Sequence, residues 1–324
     1  MEHYLEIKNL HVEYHTDDNI VYAVNGVDLY VDKGETLGLV GETGAGKTTT
    51  ALSIMRLLPE RVGFITAGSI QVDGKEVTKA KEADMRIIRG DMVSMIFQDP
   101  MTSLNPIIPV GEQIEEVLLL HTKMSKEERS SQVDRILESV GLQPSRKNEY
   151  PHQFSGGMRQ RIVIAMALAC EPGLLLADEP TTALDVTIQA QVLRLMNELK
   201  NKMNMGMLLI THDLGVVAQT CDRVAIMYGG KIIEQGLVKD IYESEEHHPY
   251  TRGLFGSIPE RNLNCKRLSP IPGLVADPTV KYPGCSFADR CPHAQLRCRE
   301  GLPETWCSGT HEIRCWLYAG AEGA

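Results

Sequence analysis

Leu37-Gly38-Leu39-Val40-Gly41-Glu42-Thr43-Gly44-Ala45-Gly46-Lys47-Thr48 is the stretch that decides how this chain folds. The short apolar run Leu37–Val40 fits a buried strand. Beyond the glycines, apolar residues recur at Ala51, Leu52, Met55 and Leu58. That spacing is helical, and Pro59 stops it. A glycine-rich segment therefore joins a strand to a helix, the context that makes Gly41-x-x-x-x-Gly46-Lys47-Thr48 a phosphate loop. Glycine lets the backbone curl until successive N–H groups point at phosphate oxygens. The following helix adds its positive N-terminal end. Lys47 pairs with the β- and γ-phosphates on this reading, and the Thr48 hydroxyl ligates Mg2+. A glycine-rich turn that binds nothing is the competing reading, and the Lys-Thr pair and the helix weigh against it.

A second stretch completes the site. Leu174-Leu175-Leu176-Ala177-Asp178-Glu179 reads as a buried strand delivering two acids to the carboxyl edge of a sheet. Asp178 is the candidate Mg2+ ligand. Glu179 is the candidate general base for an attacking water. Alone, such a pair is more often a cap or a solvated pair; beside a phosphate loop the functional reading dominates.

The remaining elements fit an α/β fold. Leu5–Ile7 and Val27–Val31 read as strands of an N-terminal sheet, and Met207–Ile210 as a further buried strand. Helices are expected from Gly157 to Ala169 and from about Thr187 to Lys202. Residues 106–141 form a mainly helical insert, with Ile114, Val117 and Leu118 on one face and Val133, Ile136, Leu137 and Val140 on another.

Phe154-Ser155-Gly156-Gly157-Met158 resembles the signature motif of ATP-binding-cassette (ABC) ATPases, usually Leu-Ser-Gly-Gly-Gln. Phe and Met depart from that form, while Ser155, Gly156 and Gly157 are intact. Gln98 is similar to the family's Q-loop glutamine, Ala183-Leu184-Asp185 to its D-loop, and His212 to its switch histidine. The resemblance implies a phosphate-loop ABC nucleotide-binding domain with a helical subdomain at about 100–156. It implies ATP and Mg2+, with ATP held by Tyr14, Gly41, Thr43, Gly44, Ala45, Gly46, Lys47, Thr48 and Thr49. Tyr14 stands at the adenine-stacking position, with Tyr22 the alternative; either equally fits simple packing in the sheet. Mg2+ falls to Thr48, Gln98 and Asp178, and catalysis to Glu179, His212 and Gln98. Ser155, Gly156 and Gly157 reach the nucleotide of a second subunit, so each ATP lies in a sandwich of two chains.

Composition sets limits. The 324 residues are 43 % apolar and 23 % charged, ordinary for a folded globular chain. Lys and Arg total 33 against 43 Asp and Glu, a net charge of −10 that disfavours a free-standing nucleic-acid binder. No stretch reaches the roughly 20 apolar residues that span a bilayer. The N-terminus has no secretory pattern, so a cytosolic location is expected.

Six of the eight cysteines and six of the 16 prolines lie in the last 64 residues. That segment carries 8 basic and 6 acidic residues, leaving −12 on the first 260. The division expected is an ABC domain over 1–250 and a small cysteine-rich domain over 251–324. In a cytosolic chain, clustered cysteines more often bind metal than form disulfides. A segment this small benefits from a bound metal. The gaps of five and six residues between Cys285, Cys291 and Cys298 are looser than the common zinc spacing. A [4Fe–4S] cluster held by four Cys is the leading reading, because all-thiolate ligation suits it; a structural Zn2+ using His293 or His311 is the alternative, and disulfides or free thiols come third.

His248-Pro249-Tyr250-Thr251, Ile271-Pro272-Gly273, Gly284-Cys285, Cys291-Pro292, Cys298 and His311-x-x-x-Cys315 resemble the C-terminal region of bacterial dipeptide and oligopeptide importer ATPases. Cys285, Cys291, Cys298 and Cys315 match family positions, whereas Cys265 and Cys307 lie outside that set. The resemblance implies a subunit at the cytoplasmic face of the membrane. Its partners would be a second ABC ATPase subunit (identical or homologous), two transmembrane permease subunits and, indirectly, an extracytoplasmic peptide-binding protein. Import of nickel or another solute is an alternative cargo. A soluble ABC ATPase acting on DNA or ribosomes, and an ATP-switched metal-cluster sensor, are rivals from other classes.

Overall fold

In the computed structural model, residues 3–98, 103–182, 184–257 and 270–320 are described. The strands among them are β1 (Leu5–His15), β2 (Ile20–Val31), β3 (Thr36–Val40), β4 (Gly63–Val72), β5 (Lys75–Glu76), β6 (Val93–Ile96), β7 (Leu174–Asp178), β8 (Gly206–Thr211), β9 (Arg223–Tyr228), β10 (Lys231–Leu237), β11 (Trp306–Ser308) and β12 (His311–Ile313). The chain divides into two compact units. One holds Val31–Glu35 and Gln71–Leu209 with the first few residues; the other holds Glu6–Tyr30, Thr36–Ile70 and Ile210–Ala324.

The second unit contains the phosphate loop and the cysteine-rich segment together. Its strands follow the order β11-β12-β10-β9-β3 in one sheet and β2-β1-β4 in another. β3 runs parallel to β9, with Val40 opposite Ile226, and all five β3 residues are buried. That burial on both faces is why the strand reads as an unbroken apolar run. β9 and β10 are antiparallel, with an irregularity between Ile232 and Glu234. β12 then adds antiparallel to β10, setting Ile313 opposite Glu234, and β11 pairs with β12. These two tail strands are only three residues long. Periodicity has too little length to act on at that size, and none was expected there.

Aromatic packing anchors the tail. Tyr228, Tyr250 and Phe287 join Val40, Ile226 and Phe255 in one buried cluster. The Tyr228 and Tyr250 rings are 4.7 Å apart, and Tyr228 meets Phe287 edge-on at 5.2 Å. Such pairs contribute about 0.5–1.5 kcal/mol beyond area burial. The tail thus holds more core than its composition suggests.

The first unit carries β8-β7-β6, with β6 and β7 parallel and Val93 opposite Leu174. The helical insert resolves into Val110–His121 and Lys126–Ser139. Ser125 and Glu128 form a reciprocal capping box that starts the second of these helices. Gly156–Leu168 and Val186–Met203 agree with the expected helices to within a residue.

The helix after the phosphate loop spans only Lys47–Ile54, shorter than its spacing suggests. Arg56 takes a left-handed conformation at φ 48°. The Leu57 N–H then reaches Leu52 O at 2.8 Å and the Arg56 N–H reaches Ser53 O at 3.1 Å. This is the paired capping pattern that closes a helix, and it does so before Pro59 is reached.

Candidate active site and cysteine pocket

The phosphate loop is shaped by close backbone approaches. A side chain on Gly41 would meet Met227 O at 2.2 Å, and one on Gly46 would meet Ala23 O at 2.4 Å. Gly46 also sits at φ 105° as the residue that caps the following helix, a conformation open to glycine alone without strain. Lys47 is 6 % exposed. Its ammonium donates to Gly41 O at 2.6 Å and Glu42 O at 3.0 Å. Thr43, Gly44 and Thr48 are exposed at the loop, and Ala45 is buried beneath it. The hydroxyls of Tyr14 and Thr49 lie 3.1 Å apart, so the half-buried Tyr14 is seated beside the helix that the loop opens. Tyr22 lies under the Lys281 ammonium, 5.6 Å from its ring centre. His212 is exposed just beyond β8, and the adjacent Asp213 caps the next helix through Gly215 N–H at 2.7 Å.

In the other unit the acid pair ends β7. Asp178 is 2 % exposed, and Glu179 adopts φ 45°. A non-glycine residue there is uncommon, and such conformations cluster at active sites. Gln98 Nε2 donates to Glu179 Oε2 at 3.2 Å, and the Thr182 hydroxyl donates to the same oxygen at 3.0 Å. The predicted Q-loop glutamine and the predicted base are therefore in contact.

Ser155 caps the helix Gly156–Leu168 by accepting from Met158 N–H. A side chain on Gly157 would strike Ile188 Cγ2 at 2.6 Å. Asp185 caps Val186–Met203 through Ile188 N–H at 3.0 Å. Ala183, of the same D-loop, lies outside the described residues. Arg146 contacts both residues that depart from the usual signature. Its guanidinium covers the buried Phe154 ring at 4.3 Å and donates to Met158 Sδ at 3.6 Å. Sequence spacing gives no sign of this partner, which lies eight residues before Phe154 and outside the motif.

Cys285, Cys291, Cys298 and Cys315 line one cavity, with His248 and His293 on its wall. Cys307 is exposed on β11, away from that cavity, and Cys265 lies outside the described residues. All seven described cysteines are free thiols. Burial pushes Cys285 and Cys315 up to about 11, and neighbouring thiols of the set add to the rise. Lys231 donates from beneath to Tyr282 O and Gly284 O, at 2.9 and 2.8 Å.

A second buried cluster escaped the sequence reading. Glu234 Oε1 lies 2.8 Å from His247 Nδ1 and 2.9 Å from His311 Nε2. Burial alone would raise the Glu234 carboxyl, but hydrogen bonds from the two histidines hold it at about 2. The cluster ties β10 to β12 and to the segment before Pro249. No spacing rule links positions 234, 247 and 311.

Residues 24–182 match the ABC transporter family, and residues 233–298 match the oligopeptide/dipeptide transporter C-terminal region. The chain is 52 % identical over 320 residues to the dipeptide transport ATP-binding protein DppD of Bacillus subtilis (strain 168), covering 98 % of this chain and 95 % of that one. It is 50 % identical over 324 residues to the oligopeptide transport ATP-binding protein AppD of the same organism, covering 99 % and 98 %. Among solved structures it resembles a dimeric ATP-binding cassette in a post-hydrolysis state bound to ADP and Pi. The TM-score is 0.64 at 28 % identity, covering 72 % of this chain and 98 % of that one. With a glycine-shaped phosphate loop, an acid pair in contact with Gln98 and a tail of the matching type, the chain belongs to the family of ABC-transporter ATP-binding subunits that includes those of dipeptide and oligopeptide transporters.

Proposed function

We propose that this chain hydrolyses ATP to drive import of dipeptides or oligopeptides through a membrane-embedded permease. The observation that carries the reading is the union, in one chain, of the phosphate loop with the transporter-type C-terminal region. Lys47 binds the β- and γ-phosphates, while Thr48, Gln98 and Asp178 supply hard oxygen ligands suited to Mg2+. Glu179 polarises the attacking water, a reading supported by its hydrogen bond with Gln98. His212 faces the γ-phosphate. Tyr14 stacks on adenine, and Ser155, Gly156 and Gly157 contact the nucleotide of a second ATPase subunit. Residues 1–250 supply the ATPase, and 251–324 supply the cysteine-rich module.

No helix among the described residues is long and apolar enough to cross a membrane. The transport path then belongs to two permease subunits, with the chain docked on them at the cytoplasmic face. The helical insert supports such a docking surface, since Ile107 is 79 % and Leu120 73 % exposed. The cysteine cavity holds a [4Fe–4S] cluster as a structural staple. One zinc ion with Zn–S bonds of about 2.3 Å needs sulfurs about 4 Å apart. Among the described residues, only Glu234, His247 and His311 bring three metal-type ligand atoms within 4.8 Å of one another. The wider thiol set favours a cluster over a single zinc.

Lys47→Ala in the producing cell tests the transport reading. Uptake of a labelled peptide should vanish while the chain persists. Unchanged uptake with an altered redox response would instead assign a sensor. Anaerobic purification with an absorption spectrum and metal analysis tests the tail; a colourless, zinc-loaded protein would overturn the cluster.

A further inference from the structure

Glu42, inside the phosphate loop, has every polar group committed. Its carbonyl accepts from the Lys47 ammonium at 3.0 Å. Its N–H donates to the Tyr250 hydroxyl at 2.9 Å. Its carboxylate takes a two-pronged pair from Arg290, with Nη1 to Oε2 at 2.7 Å and Nη2 to Oε1 at 3.2 Å. Two of the three anchors come from beyond residue 248. Both are rigidly held. Tyr250 is fully buried, and the Arg290 side chain is 5 % exposed. Arg290 is itself fixed by Pro272 O at 3.0 Å and the Tyr228 hydroxyl at 3.3 Å.

We infer that Arg290 and Tyr250 are positioning residues for the phosphate loop and act on ATP binding through Glu42. The physical need is clear. A carboxylate in a phosphate loop repels the nucleotide polyanion, and a fork-shaped guanidinium neutralises it with defined geometry. Tyr250 fixes the same residue's peptide, whose carbonyl seats Lys47. Both anchors rise beside the cysteine cavity. Arg290 directly precedes Cys291, and Tyr250 N–H donates to His248 Nδ1, whose Nε2 lies 3.7 Å from Cys285 Sγ. The packing of that cavity therefore sets where the anchors stand. This gives the tail a role in the ATP site of its own chain.

The inference rests on ATP binding at the loop, so the experiment separates the two. MgATP binding and steady-state hydrolysis are measured on the full chain for wild type, Lys47→Ala, Glu42→Gln, Arg290→Ala, the double variant and Tyr250→Phe. Wild type should bind and Lys47→Ala should not; failure there overturns both readings. Arg290→Ala should raise the Kd for MgATP about tenfold with kcat within about twofold. In the Glu42→Gln background the same change should cost less than about twofold, because the unpaired charge is gone. An equal penalty in both backgrounds, or none in either, overturns the inference. Should Arg290→Ala fail to fold, Tyr250→Phe decides. Amide exchange over residues 42–47 should quicken several-fold while β9 keeps its protection, and unchanged exchange at the loop overturns the assignment.

Discussion

The phosphate loop and the cysteine cavity belong to the same compact unit but are built in opposite ways. The loop is a contiguous run in which backbone groups act and glycines at 41 and 46 permit close contact with Met227 and Ala23. The cavity draws side chains from positions 248 to 315 and depends on a sheet extension, β11 and β12, to bring them together. A contiguous site is destroyed by local change and only retuned by distant change. An assembled site has the reverse sensitivity. The difference teaches where damage should propagate: changes in the tail should reach the loop through its anchors on Glu42 and the cluster shared with Val40, whereas changes in the loop should leave the tail folded.

The largest expected effect tests the local end of that contrast. Glu179→Gln should lower kcat about a thousandfold, within the range for loss of a general base, with MgATP still bound and thermal stability unchanged. Normal turnover would remove Glu179 from the chemistry.

Next comes the assembled end. Glu234→Gln leaves two buried histidines facing a neutral amide and should cost about 3–5 kcal/mol, read as a lower urea midpoint. The pH dependence has a definite sign. The Glu234 carboxyl is held at about 2 against an ordinary 4.5, so its ionisation stabilises the fold above that ordinary value. That contribution, about 3 kcal/mol, should fade as pH falls from 4.5 towards 2. In Glu234→Gln the acid limb should flatten; an unchanged limb would place the sensitivity elsewhere.

A smaller effect separates the cysteines. Cys298→Ser should lose most bound metal on elemental analysis, while Cys307→Ser, exposed on β11, should retain it. Equal loss in both would dissolve the four-cysteine set. The least expected effect is Met158→Gln, which restores the usual signature residue and loses only the sulfur contact with Arg146. ATPase activity should stay within about twofold.

Legibility in the sequence follows the same division. The strand–loop–helix unit, the acid pair and the Ser155–Gly157 motif all depend on neighbours within a few residues. Fixed spacing expresses such chemistry directly. Helix ends were less legible. The helix at Lys47 closes early because Arg56 enters the left-handed region, a choice that no apolar period records. The short strands β11 and β12 were invisible for the same reason of length.

The amino-acid order by itself therefore determined the fold class, the phosphate loop, the acid pair and the four cysteines that share a cavity. It did so because each is a local pattern or a matched family position. Only the tertiary structure decided that Tyr250 and Arg290 converge on Glu42, that Arg146 contacts the altered signature, and that Glu234 binds His247 and His311. Those contacts join residues from eight to nearly 250 positions apart. Their energy depends on burial and on direction, and neither is set until the sheet and its tail strands have assembled.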